Sequence, residues 1–195
     1  MQLQKINVKL FTDAPATLEL APFLDIFARW RGDASHPSQW IDLADYAHVT
    51  KGPGIMLIGK QGNLALDLRD PGPGILYANK AGLEGSVQER ILEVFRRCLA
   101  LTLALSEEPE YPQALAPRPG FWELAINDRL KAPNTDATDL ALRPAIESTL
   151  ARLFGSDHTL LREADLSRLY GFVIHAKQIT DLETFGLRLQ APTVT

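Results

Sequence analysis

The strongest constraint on the fold is that two distant parts of this chain repeat one another. Thr12-Asp13-Ala14 leads into Leu18-Glu19-Leu20-Ala21-Pro22, an apolar stretch at helical spacing, and Gly32. Thr135-Asp136-Ala137 leads into Leu140-Ala141-Leu142-Arg143-Pro144, a second such stretch, and Gly155. A strand-like run precedes each copy and two follow it. The pattern predicts one supersecondary unit, β-α-β-β, used twice, each copy needing the other to cover its apolar face. The expected fold class is α+β: a largely antiparallel sheet of about seven or eight strands with three helices.

Local patterns fill in this outline. Ile6 to Leu10 alternates in period two and reads as a strand, whereas Leu20, Phe23, Leu24, Phe27 and Trp30 recur at helical spacing. Pro22 fits a first helical turn, where its missing donor costs least. Trp40 to about Ala44 reads as a strand followed by a turn. A smaller repeat then appears, Gly52-Pro53-Gly54 and Gly72-Pro73-Gly74, each a turn signal followed by an apolar strand. Leu64, Leu66 and Leu68 alternate between them, which predicts antiparallel hairpins. Ser86-Val87-Gln88-Glu89 is a capping-box pattern opening a long helix to about Ser106. Its second half is apolar most of the way round, so the Leu99–Leu105 end needs a cover, from the other half of the chain or from a second subunit. Phe121 to Ile126, Thr159 to Glu163 and Tyr170 to Ala176 read as strands, and Phe185 to Leu189 as a weak one. The expected organisation is a first unit with its meander and long helix over 1–106, a proline-rich linker over 107–120 and a second unit over 121–195, in one compact domain.

Composition narrows the class of function. Twenty-four acidic residues against 20 basic ones, well interspersed, give a net charge of −4 and no basic stripe, which argues against nucleic acid as a main partner. The longest apolar run, Cys98 to Leu105, is too short to span a bilayer, and Met1 to Leu10 lacks the core of a signal peptide. A cytoplasmic protein without membrane association is therefore expected. The single cysteine, Cys98, excludes an internal disulfide and reads as a buried thiol.

Two clusters carry side chains capable of chemistry. Asp42, Asp45, Tyr46, His48 and Lys51 precede the first Gly-Pro-Gly turn. Asp45 and His48 could serve as an acid–base pair, with Tyr46 or Lys51 orienting a substrate; equally, the aspartates could bond turn amides. No second histidine stands at metal-ligand spacing from His48, so no metal site and no cofactor are expected. Asn127, Asp128, Arg129 and Asn134 follow the strand that opens the second copy and could form a ligand-facing rim, or an Asp–Arg pair and a proline turn. Gly54 to Gln61 approaches a phosphate-loop pattern, but Gln61 replaces the magnesium-holding hydroxyl and the residues between the glycines form an apolar strand. Trp30, Trp40 and Trp122 read as core anchors.

The segments Asp42-Leu43-Ala44-Asp45-Tyr46-Ala47-His48-Val49-Thr50-Lys51-Gly52-Pro53-Gly54 and Ile126-Asn127-Asp128-Arg129-Leu130-Lys131-Ala132-Pro133-Asn134-Thr135 resemble a family of small uncharacterised bacterial cytosolic proteins. That resemblance covers most of the chain and implies no activity, cofactor or partner. The doubled strand–helix–strand–strand order is similar in topology to gyrase-inhibitor-like ligand-binding domains, in which two modules hold a small molecule between them. The meander over 60–80 departs from that plan. The function expected is non-enzymatic binding of a small ligand or a protein partner by a homo-oligomer, in a cleft where the halves meet, with Asp45–Gly54 and Asn127–Asn134 nearby. The alternatives are an enzyme built on Asp45 and His48, and an assembly protein without a pocket.

Overall fold

Alternation in the first strand sets the architecture, because Ile6, Val8 and Leu10 are fully buried on one face while Asn7 and Lys9 take the other. The computed structural model describes residues 3–14, 18–49 and 52–190. Among the described residues the chain runs β1 (Ile6–Thr12), α1 (Ala21–Gly32), β2 (Trp40–Tyr46), β3 (Gly54–Gly59), β4 (Gly62–Asp67), β5 (Gly74–Asn79) and α2 (Val87–Ser106). It continues through β6 (Pro117–Ile126), α3 (Asp136–Phe154), β7 (Thr159–Arg162), β8 (Tyr170–His175) and α4 (Leu182–Gln190). The strands form one sheet in the order β2-β3-β4-β5-β1-β6-β8-β7, every neighbouring pair antiparallel. The order strand–helix–strand–strand thus occurs from β1 to β3 and again from β6 to β8. The first strands of the two runs, β1 and β6, lie side by side at the centre. The β4–β5 hairpin separates β3 from β1 and has no counterpart beside β6.

All four helices pack on the face that carries Val8, Leu10, Leu124 and Trp122. Pro22 stands in the first turn of α1, which buries Phe23, Ile26, Phe27 and Trp30 against the β2–β5 side of the sheet. The Ser86–Glu89 capping box is formed, and α2 crosses the centre over β1 and β5. Cys98 is fully buried there; desolvation pushes its thiol up to about 12, so it stays protonated and unreactive. Phe95, Trp122, Phe154 and Phe185 interlock nearby, Trp122 stacking on Phe185 at 4.8 Å between ring centres.

One expectation needs correction. Four helices are present, not three, and the fourth replaces the weak strand expected at Phe185–Leu189. Those residues satisfy both periods, but burial follows the helical one: Phe185 and Leu189 are buried four residues apart, while Leu187 is 63% exposed. Asp181 starts the helix by accepting the Thr184 amide at 2.6 Å. The segment over 107–120 packs on the first half of the chain. Tyr111 and Leu115 are buried under α1, Arg29 holds both Glu108 and Glu110, and the last four residues already belong to β6.

Neither Gly-Pro-Gly turn has room for a Cβ at its final glycine. At Gly54 a Cβ would run into the Leu66 carbonyl oxygen, and φ of 74° adds the left-handed conformation that favours glycine. At Gly74 a Cβ would run into the Leu10 carbonyl oxygen and lie 2.9 Å from Lys9 Cε.

Candidate functional site

The space above Gly74 is used by a charged side chain. On the sheet face opposite the helices, Lys9 stands between Leu76 of β5 and Glu123 of β6. Its stem crosses Gly74, and Nζ donates to Asp67 Oδ2 at 3.0 Å and to the Arg69 carbonyl at 3.2 Å. Lys9 is only 1% exposed, and the Phe11 ring lies 5.1 Å from the ammonium. Burial pulls the Lys9 pKa down, while Asp67 and Glu123 oppose the shift. Arg69 Nε closes the other side of Asp67 at 2.7 Å, and this hydrogen bond raises the guanidinium pKa further.

Asp67 and Arg69 of this cluster also line a groove of about 570 Å³, with Lys9 buried behind them. The floor comes from Asn7, Leu76, Ala125, Gly171 and Val173; the walls come from the 67–71 turn and the 161–169 segment that links β7 to β8. Small residues keep the floor low: a Cβ at Gly171 would lie 2.5 Å from the Leu124 carbonyl oxygen and 3.0 Å from Ala125 Cβ. Glu123 faces the groove. Burial raises its pKa, with Lys9, Arg69 and Arg168 pulling the other way and Asp67 adding to the rise. The carboxylate has neither a hydrogen bond nor an ion pair among the described residues, although Lys9 is its direct cross-strand neighbour, because the ammonium is turned to Asp67.

The opposite rim is rich in arginine. Arg168 pairs with Glu163 at 3.1 Å, and Arg162 reaches Asn134 and Asp136. Arg129 and Asn127 also line the groove, and the Arg129 guanidinium has no ion pair among the described residues. A second furrow of about 420 Å³ lies between α2 and α4, but it is lined mainly by leucines, with no convergent polar set. Leu99 and Leu105 are buried at that helix end, and Leu103 stays 40% exposed.

The side chains singled out from the sequence divide between these places. Asn127 and Arg129 reach the groove. Asp128 instead accepts the Lys131 amide at 3.2 Å, and Asn134 is buried, donating to the carbonyls of Glu163 and Asp165 and so shaping the 161–169 wall. Asp42, Asp45 and Tyr46 lie on the edge strand β2, five strand spacings from β6, or about 24 Å. Asp42 accepts the Leu43 amide and Asp45 the Ala47 amide, both at 2.8 Å, which is the turn-bonding alternative. His48 is exposed, and no hydrogen bond joins it to Asp45. Lys51 lies outside the described residues. Among the described residues no group of three or more histidine, cysteine or acidic side chains could hold a metal ion.

Sequence reasoning missed Lys9, Asp67, Arg69 and Glu123. Their signal was a lysine and a glutamate each set between apolar residues in strands that a packed core would fill with aliphatics. No family model, curated protein or solved structure matches this chain, and no described helix is long and apolar enough to cross a membrane.

Proposed function

We propose that this protein binds a small molecule in the groove over β1 and β6 without carrying out chemistry on it. One observation carries the reading: charged side chains from three separate segments, the 67–71 turn, β6 with its exit, and the 161–169 connection, line one groove on the sheet face opposite the helices. Burying charge costs folding free energy, and a salt bridge such as Lys9–Asp67 is weak support for stability alone. An apolar floor with a few convergent polar groups suits ligand capture. The lining residues include no serine, threonine, cysteine, histidine or tyrosine, so the groove supplies no hydroxyl or thiol nucleophile and no imidazole base. The same reading takes the two strand–helix–strand–strand runs as copies of one unit, with the ligand resting where their first strands meet.

The test is amide-resolved NMR of the protein against a panel of metabolites, alongside Ala125→Phe. The Ala125 side chain faces the groove, so a phenyl ring there fills the groove without entering the helical core. A ligand should shift resonances of residues 123–129 and 161–173, and the phenylalanine variant should lose that binding while keeping its melting temperature within about 2 °C. Shifts confined to the β2 edge, or binding unchanged by the variant, would reject the groove. His48→Ala should leave binding as it is.

A further inference from the structure

Three charged groups lining the groove make neither a hydrogen bond nor an ion pair among the described residues: Asp70 on the 67–71 turn, Glu123 on β6 and Arg129 just beyond the end of β6. Lys9 and Arg69 are both held by Asp67, Arg168 is held by Glu163, and Arg162 by Asn134 and Asp136. What remains is the half-buried Glu123 carboxylate, accepting no hydrogen bond, the exposed Asp70 carboxylate, and the Arg129 guanidinium, which has the exposed Asp165 as an acidic neighbour and shares its rim with Asn127. Resting on the binding reading above, we infer that the occupant is a zwitterion. Its ammonium group sits on Glu123, and its carboxylate or other anionic group is held past the end of β6 by Asn127, four residues and so about 13 Å along the chain, and by Arg129 in the turn that follows.

Three physical arguments support this assignment. An ionised carboxylate is acceptor-only, so a partner at Glu123 must donate, and an ammonium offers three donors with the compensating charge. A desolvated carboxylate with no fixed partner is costly, and a cation arriving with the ligand removes that cost. Arg129 and Asn127 present donors at the rim and so call for an acceptor, best an anion held by a charge-assisted bond. Between the two ends the floor is Ala125, Gly171 and Val173, which suits a short aliphatic spacer. Lys9 sets the polarity: because Asp67 holds its ammonium, Glu123 is left to the ligand rather than neutralised by its cross-strand neighbour.

The experiment is calorimetric titration with ω-aminooctanoate, octanoate and octylamine, followed by Glu123→Gln and Arg129→Gln. Aminooctanoate should bind at least about tenfold tighter than either single-ended analogue, as expected when each charged hydrogen bond contributes separately. Glu123→Gln should abolish its advantage over octanoate, and Arg129→Gln its advantage over octylamine. Arg129 is exposed, so its replacement leaves the fold intact and keeps the test meaningful should the Glu123 variant fold poorly. Equal binding of the three probes, a preference for octanoate, or no detectable aminooctanoate binding would overturn the assignment. Groove-mapped NMR shifts from any other metabolite, lost in Ala125→Phe, would then show that the binding reading itself still stands.

Discussion

The two faces of the β1–β6 pair are built from alternate residues of the same strands, yet they follow different rules. Toward the helices stand Val8, Leu10, Trp122 and Leu124, none exposed and all packed into one apolar cluster. Toward the groove stand Asn7, Lys9, Glu123 and Ala125, where the residues are arranged by charge and by how little space they fill. The first face is specified by volume and shape; the second spends part of that stability on desolvated charge. A one-residue slip between β1 and β6 would exchange the two sets, which makes their register a requirement of the proposed site as well as of the core.

The largest effect should come from the packed face. Trp122 is fully buried, touches Phe95 and Phe185, and donates Nε1 to the Pro119 carbonyl at 2.6 Å. Trp122→Ala should cost about 4–5 kcal/mol in a urea denaturation, from lost burial and the cavity left among three phenylalanines. A loss below about 2 kcal/mol would show that the aromatic cluster collapses around the gap, weakening the contrast between the faces.

The groove face should respond according to whether charges are left in pairs. Asp67→Ala strands the Lys9 ammonium, which is 1% exposed, and should cost about 3 kcal/mol. Replacing both partners, Lys9→Met with Asp67→Leu, should return stability to within about 1 kcal/mol of the parent, since apolar groups of similar size remove the desolvation penalty along with the attraction. Measured in one denaturation series, this cycle separates a pair kept for stability from one kept for the groove. A double variant as unstable as Asp67→Ala would assign Lys9–Asp67 to the fold.

Much of this architecture was legible along the chain, and the missing parts share a cause. The capping box at Ser86, the proline in the first turn of α1 and the strand alternation at Ile6–Leu10 are local patterns, and each appears where its residues lie. The groove is not local. Lys9, Asp67, Arg69 and Glu123 are brought together only by the pairing of β4, β5, β1 and β6, a register that no short window contains. Asp42, Asp45, Tyr46 and His48 attracted attention because they are dense in sequence. A β-strand, however, sends neighbours to opposite faces, and β2 lies at the edge of the sheet. Asn127 and Arg129, at the exit of a central strand, line the groove, whereas the Asn134 amide donates to the 161–169 backbone. The tail was misread because Phe185, Leu187 and Leu189 fit a strand, and only the Asp181 cap distinguishes the helix.

The smallest effect, and the finest probe of the groove face, is the pH dependence of Glu123. Burial raises its pKa, so between the unfolded and folded values the native state holds more protons than the unfolded chain. Stability must therefore fall as pH rises through that window. This is opposite in sign to Asp33, Asp165 and Asp181, whose lowered values add stability that is lost toward acid. Glu123→Gln removes only the first contribution. Above the window the glutamine variant should be more stable than the parent, by less than about 1 kcal/mol, and the gap should close as pH falls toward the ordinary glutamate value. The aspartate contributions cancel in the difference between the two proteins, so denaturation curves taken across the acid range isolate this one carboxylate. A gap that stays constant with pH, or that favours the parent, would mean that Lys9, Arg69 and Arg168 already outweigh the desolvation of Glu123. The groove face would then be as self-sufficient as the core face, with no charge left over for a ligand.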